Sequence, residues 1–190
     1  MSKIGFTTSR SPAKKTRSFI HDLVSIVPQS SRVARGSATL LYTISAMKTK
    51  KFETAVIIHS VKGNPNFIRI YDLAEEPEEL PFAIKVRGLT LSREYVKDKE
   101  RARPVFSILI SSLDNSHENE ILKRVFRITN MGIDKIKDKN YVTLYADYLD
   151  RDEGLIFLEF LDKNNKQAGP RMKIRIVPRE VEQTTKSESK

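Results

Sequence analysis

Hydrophobic positions change period several times along the chain, and each change marks an element. Ile4 to Thr8 reads as a short strand. Beyond it Phe19, Ile20, Leu23 and Val24 recur at helical spacing. They predict a helix from Pro12 to Val27, with Ser11 as N-cap, Pro12 at the first helical position and Pro28 as the stop. The basic loop Arg32 to Gly36 leads to a second helix, with Ser37 as N-cap and Leu40, Leu41, Ile44 and Met47 on its buried face. Thr54 to Ser60 is an apolar run of strand length and Phe67 to Tyr71 alternates, so Lys62 to Asn66 becomes the turn of a hairpin. The acidic, proline-flanked segment Leu73 to Pro81 is a natural boundary.

The second half opens with a strand from Phe82 to Leu91 and a charged stretch through Arg103 whose first part has helical character. Val105 to Ile110 is strand-like. Ser116 then caps an amphipathic helix with Ile121, Leu122, Val125 and Phe126 on one face. Three strands follow, Tyr141 to Leu149, Leu155 to Leu161 and Arg171 to Val177, and the polar tail from Arg179 to Lys190 is expected to be disordered. Strands and amphipathic helices mix in both halves, about 3–76 and 77–178, which makes the class α+β.

Composition narrows the function. A chain of 190 residues with 39% hydrophobic content can bury one ordinary core. No apolar run approaches the ~20 residues of a membrane span, and no signal-peptide-length stretch follows Lys3. The expectation is a soluble, cytoplasmic protein. Without cysteine there is no disulfide, thiolate nucleophile or Cys-ligated metal. The net charge is +10, and it is segregated: residues 1–51 hold ten Lys or Arg and one acid, Asp22, while residues 52–190 are almost balanced. Uniform solubility tuning would spread such a charge, whereas a polyanion footprint would concentrate it.

The first helix carries that charge at an unusual place. Arg10, Lys14, Lys15 and Arg17 surround its N-terminus, where the helix dipole favours carboxylates and each cation costs roughly 0.3–1 kcal/mol. The helix at Ser116 is charged the other way, with Glu118 and Glu120 early and Lys123, Arg124 and Arg127 late, as the dipole prefers. Arg32 and Arg35-Gly36 make a second basic approach to a helix start. Free backbone N–H groups with nearby cations form a site for phosphate; the alternative is a solvated basic face. In the last strand Arg171, Lys173 and Arg175 share one face, about 6.6 Å apart, a spacing that can follow a sugar-phosphate backbone. Ordinary solubilising residues on an exposed sheet face are the alternative there.

Catalytic patterns are weak. His21, His59 and His117 are isolated, and His59 reads as a satisfied structural histidine. No metal-ligand spacing occurs, and the single glycine of the Lys62 to Asn66 turn does not make a phosphate loop. Asp147, Asp150, Asp152 and Glu153 read as a solvated turn, and Tyr141, Tyr145 and Tyr148 as core packing rather than base stacking. No catalytic residue, metal, cofactor, membrane or small-molecule substrate is expected.

Taken in order, TTSRSPAKKTRSFIHDL, RVARG before a helix, FETAVIIHSVKGNPNFIRIYDL and GPRMKIRI resemble the successive signatures of the Brix domain, from about Lys3 to Pro178. The compact form is similar to archaeal members. The resemblance implies two similar α+β halves, each akin to the anticodon-binding domain of class II aminoacyl-tRNA synthetases, packed into one body. It also implies a non-enzymatic ribosome biogenesis factor that binds precursor ribosomal RNA during subunit assembly and processing, with ribosomal proteins or assembly factors as further partners. Ser9 and Arg10 fall on the opening motif, Arg32, Arg35 and Gly36 on the Arg-Gly motif, and Gly169, Pro170 and Arg171 on the closing one. Met172 stands where the family often has Phe. The RNA-binding set expected is therefore Ser9, Arg10, Lys14, Lys15, Arg17, Arg32, Arg35, Gly36, Arg171, Lys173 and Arg175. The rival is a scaffold whose basic surface docks an acidic assembly factor or ribosomal protein.

Overall fold

The computed structural model describes residues 3–95, 103–114 and 116–179. It begins with β1 (Ile4–Thr8), α1 (Lys14–Ile26), β2 (Ser30–Arg32), α2 (Leu40–Thr49), β3 (Thr54–Val61), β4 (Asn64–Asp72), β5 (Glu78–Glu79) and β6 (Phe82–Thr90). It continues with β7 (Phe106–Ser111), α3 (Ser116–Phe126), β8 (Tyr141–Asp150), β9 (Leu155–Asp162) and β10 (Arg171–Pro178). Ser92–Glu94 and Ile133–Lys135 are single 3₁₀ turns.

Strand β1 lies between β2 and β3 and is parallel to both, which requires two crossover connections. The chain moves one way through α1 to β2 and back the other way through α2 to β3. Right-handed crossovers then put α1 and α2 on opposite faces of the sheet. The side chains agree. Phe19, Ile20, Leu23 and Ile26 of α1 pack with Ile4, Phe6, Val56 and Ile58, while Ile44 and Met47 of α2 pack with Ala55, Ile57, Tyr71 and Leu73. Each fully buried Leu, Ile or Phe contributes roughly 1.5–3 kcal/mol, so both helices are held by burial. Gly5 faces α2: a Cβ there would stand 2.2 Å from Met47 Cε, so the absent side chain sets how closely the helix approaches.

All strands among the described residues join in one ten-stranded sheet ordered β2-β1-β3-β4-β6-β10-β9-β8-β7, with β5 paired to β4. The order is mirrored about the antiparallel β6–β10 pair. On each side a strand is followed by a helix, then by a strand parallel to the first, a hairpin and a seam strand. The α1 core runs without a break into Ile121, Leu122, Val125 and Phe126 of α3 and the inner faces of β8, β9 and β10. Polar ties cross as well. Arg103 donates to the carbonyls of Val24 (2.6 Å) and Ser30 (2.6 Å), Arg124 pairs with Asp72, and Arg127 reaches Gln29 (2.8 Å) and Glu53 (3.3 Å). The basic last turn of α3 thus grips the first half of the chain.

Several boundaries differ from expectation. Helix α1 starts at Lys14 with Ala13 as N-cap, so Ser11 does not cap it and Pro12 is not its first residue. Ser11 instead takes φ +49, turning the chain off β1. Helix α2 is capped by Thr39, whose side chain accepts from the Tyr42 N–H at 3.2 Å, rather than by Ser37. Leu41 points outward at 76% exposure. Strand β2 is not among the expected elements and takes in Arg32, the first residue of the basic loop, and β4 starts at Asn64, which shortens the hairpin turn to Lys62 and Gly63. Because α3 begins at Ser116, its N-cap position falls on residue 115, outside the described residues. The expected helical stretch of residues 96–102 and the tail from residue 180 also lie outside them. The acidic segment Leu73 to Pro81 is a connection within one continuous sheet, since β4 pairs with both β5 and β6.

Candidate nucleic-acid interface

The parallel group β2-β1-β3 delivers three chain segments to the rim beyond its C-terminal ends, where open α/β sheets commonly seat ligands. The first is Ser9 to Ala13. The Ser9 N–H donates to the Ile58 carbonyl at 3.0 Å, prolonging β1, and Ser11 then reverses the chain into α1. Ala13 has no side-chain acceptor to offer, and the first turn holds no acid. The first helical bond runs from Arg17 N–H to the Ala13 carbonyl at 3.1 Å. The N–H groups of Lys14, Lys15 and Thr16 consequently have no acceptor among the described residues. Thr16 is buried, and its hydroxyl meets that of Ser60 at 2.7 Å, pinning the start of α1 to the end of β3. Lys14 and Arg17 are exposed and Lys15 is half-buried.

The second segment is Arg32 to Gly36. Val33 donates to the Phe6 carbonyl at 2.8 Å, and Arg35 closes a turn by donating from Nε to the Ala38 carbonyl at 2.9 Å. Gly36, at φ +57 and fully open around its Cα, supplies the left-handed residue of that turn. The third is the β3–β4 turn, where Gly63 lies against Ala13: a Cβ at Gly63 would be 4.0 Å from the Ala13 Cβ. Exposed Lys62 therefore stands beside the α1 N-terminus. Its spacing in sequence held no sign of this, because the pairing of β1 with β3 brings the turn there.

His59, at the bulge near the end of β3, is held below its ordinary pKa by burial, with the Arg69 and Arg35 charges adding to the effect against Glu79. Its Nε2 is buried without a hydrogen-bond partner, so the histidine is not the satisfied one expected. Burial raises the pKa of Asp22, the one acid of the first quarter; its carboxylate accepts from the Ser92 N–H at 2.8 Å and faces the chain interior rather than the rim.

Free and committed cations now separate. Arg10, Lys14, Lys15, Arg17 and Arg32 have no side-chain partner among the described residues. Lys3 pairs with Glu53, and Lys48 donates to the Glu75 carbonyl. In β10 the alternation holds, with Met172 and Ile174 buried, but two of its three cations are neutralised. Arg171 pairs with Glu159 at 2.7 Å over the Tyr95 ring, and Arg175 pairs with Glu153. Lys173 stays exposed, its stem lying along Gly88. Strands β4 and β6 separate β10 from β3, so β10 does not adjoin the rim. Gly169 and Pro170 of the closing motif are buried. A Cβ at Gly169 would meet Ile26 Cδ1 at 2.4 Å and Phe160 Cβ at 2.9 Å. Tyr148 packs on the core and donates to Glu118, which raises its pKa to about 12.

No family model matches the chain. Among curated proteins it is 25% identical over 177 residues, 93% of this chain and 94% of the relative, to a "Probable Brix domain-containing ribosomal biogenesis protein" of Sulfurisphaera tokodaii. Proteins of the same name match at 27% over 124 residues in Pyrobaculum aerophilum, covering 65% of this chain and 68% of the relative. In Methanopyrus kandleri the figures are 33% over 94 residues, 50% of this chain and 49% of the relative. Among solved structures, a probable ribosomal biogenesis protein of Aeropyrum pernix K1 superposes with TM-score 0.77 at 21% identity, covering 95% of this chain and 99% of that one. Mil, an archaeal Imp4-like protein, does so with TM-score 0.62 at 19% identity, covering 92% and 99%. These two likenesses establish a shared fold.

Proposed function

We propose, starting from a chain that is a relative of the archaeal Brix domain-containing ribosomal biogenesis proteins, that it acts in ribosome biogenesis by holding precursor ribosomal RNA on the rim beyond β1 and β2. One observation carries this: five cations without a side-chain partner among the described residues gather around an uncapped helix N-terminus and the adjoining Arg32 loop. Left alone, that arrangement costs stability through the dipole and through mutual repulsion, and bound phosphates would reverse both. Arg10, Lys14, Lys15, Arg17 and Arg32 supply charge, the open N–H groups of α1 supply direction, and Ser9, Arg35 and Gly36 shape the turns. Lys62 extends the set. Arg171 and Arg175 are secondary contacts because RNA would have to compete with Glu159 and Glu153, which leaves Lys173 as the available cation of β10. Phosphate contacts provide affinity and register, and RNA shape and unpaired bases provide selectivity.

The test is binding of a precursor ribosomal RNA fragment across a salt series. Five contacts on single-stranded RNA predict a slope of log affinity against log salt near about −3.5. Lys14→Glu with Lys15→Glu should flatten it by roughly 1.4 and weaken binding to all sequences alike. Equal affinity and slope in the double variant would refute the site. A complex with an acidic protein that survives ribonuclease and is lost in the same variant would hand the surface to a docking partner instead.

A further inference from the structure

Of the nine Phe and six Tyr of the chain, Tyr42 alone is exposed. It is 68% open to solvent and its neighbour Leu41 is 76% open, the two highest values among the large apolar side chains of the described residues. Apolar side chains exposed singly, such as Val61 or Leu149, are ordinary on a protein surface. Two in succession are a different case, because neither contributes to the core, and the Tyr42 side chain has no partner among the described residues.

The fold places this pair among cations. Helix α2 starts beyond the C-terminal end of β2, at the same rim as the start of α1 but on the opposite face of the sheet. The Tyr42 N–H is held by Thr39, and Arg35 Nε is held by the Ala38 carbonyl, four residues before Tyr42. The terminal nitrogens of Arg35 have no acceptor among the described residues, and Arg32 is exposed without a side-chain partner there. Helix side chains tilt toward the N-terminus of their helix, so Leu41 and Tyr42 lean toward the Arg32 to Gly36 turn. No acid occurs in sequence between Asp22 and Glu53. The acidic segment after Leu73 reaches α2 at its last turn, away from Tyr42, where Lys48 donates to the Glu75 carbonyl.

We propose that Tyr42, backed by Leu41, is the stacking platform for an unpaired base of the RNA whose phosphates the rim holds. The assignment rests on RNA being held at the rim, and it supplies the contact to bases that cations alone cannot make. Each nucleotide brings both a phosphate and a planar apolar face, so one repeating chemistry answers the free cations and the open ring together. A protein segment would need acidic and apolar residues in matching order to do the same. A strand crossing the ends of β1 and β2 would lay its phosphates on Lys14, Arg10 and Arg32 before a base reaches Tyr42. A paired base has no free face to offer, so the platform favours single strands, loops and ends over duplex.

Because the chain has no tryptophan, Tyr42→Trp places a single fluorescent reporter at the platform and keeps an aromatic face there. The probes are a twelve-nucleotide adenylate RNA and an abasic ribose-phosphate chain of the same length, titrated against the full chain. The tryptophan should be quenched by the adenylate RNA and not by the abasic chain. Tyr42→Ala should weaken adenylate binding by about tenfold at every salt concentration. Its salt slope and its affinity for the abasic chain should match the wild type, since stacking releases no counterions, and Tyr42→Phe should bind as the wild type does. An unquenched tryptophan, equal quenching by both probes, or an alanine variant with full affinity for the adenylate RNA would overturn the platform while leaving phosphate binding at the rim intact. Loss of a ribonuclease-resistant protein complex in that same fully RNA-binding variant would assign Leu41 and Tyr42 to a protein partner instead. If the wild type binds neither probe, RNA binding at the rim fails and the platform fails with it.

Discussion

Gly169→Ala measures whether the closing Gly-Pro-Arg motif serves packing rather than RNA. The added Cβ would lie 2.4 Å from Ile26 Cδ1, 2.9 Å from Phe160 Cβ and 3.0 Å from Phe160 Cγ. The Ile26 methyl is the end of a flexible side chain and can rotate away. Phe160 Cβ can move only with its backbone, which is fixed in β9 between β8 and β10. Overpacking of this kind costs about 1–3 kcal/mol. For a chain of this size that lowers Tm by roughly 2–4 °C per kcal/mol. Urea unfolding of the wild type, Gly169→Ala, Ile26→Val and the double variant separates the two contacts. Ile26→Val removes the δ1 methyl and alone costs about 0.5–1.5 kcal/mol. If that methyl supplies part of the clash, the double variant will be less destabilised than the sum of the singles by about 1 kcal/mol. A Gly169→Ala chain as stable as the wild type would refute the close approach. A chain of unchanged stability that loses RNA binding would return the motif to the interface.

Three further outcomes follow from particular contacts. Burial would raise the pKa of Glu79, but donation from Arg69 and Tyr71 and the Arg69 and Arg179 charges outweigh it, holding the group below its ordinary 4.5. Its contribution is therefore present above pH 4.5 and lost as pH falls through the depressed value, so the stability gap between wild type and Glu79→Gln, about 1–3 kcal/mol at neutral pH, should narrow in acid; a constant gap would refute it. His59 should titrate below 6.5 by NMR in the free chain, and RNA bound beside Arg35 should raise that value by offsetting the guanidinium charge, whereas an unmoved titration would exclude phosphate from that corner. Arg103→Met should cost about 1.5–3 kcal/mol in thermal or urea unfolding, since it removes a cation from the Val24 and Ser30 carbonyls; an unchanged midpoint would show the clamp to be idle.

Local pattern was enough for most strands and for the inner faces of α1 and α3, because alternation and helical spacing report burial directly. It failed where a third element decides the outcome. Ser11 has the chemistry of an N-cap, yet Ser9 is still tied to Ile58, so the chain needs Ser11 for the reversal and reaches helical geometry two residues later. Leu41 fits an apolar stripe, but α2 lies against a sheet face hollowed at Gly5, and that face is filled by Ile44 and Met47. The charge excess pointed to the cations of the rim. It could not tell free cations from committed ones, because Glu159 and Glu153 come beside Arg171 and Arg175 only through the pairing of β9 with β10 and the turn before β9.

The central seam also sets the order in which the molecule can be completed. Strand β6 finds its long antiparallel partner in β10, 81 to 96 residues downstream, so nearly half the chain must be made and threaded past before that edge closes. Closing so long a loop is entropically slow, and sheets built from distant pairings fold late. During synthesis the first half can gather around α1 with β6 still bare, an invitation to mispairing that lasts until Arg171 to Pro178 arrive. The same seam lies under the core that α1 shares with α3, so once closed it converts a vulnerable intermediate into a single cooperative unit whose unfolding is expected to begin by unzipping β10.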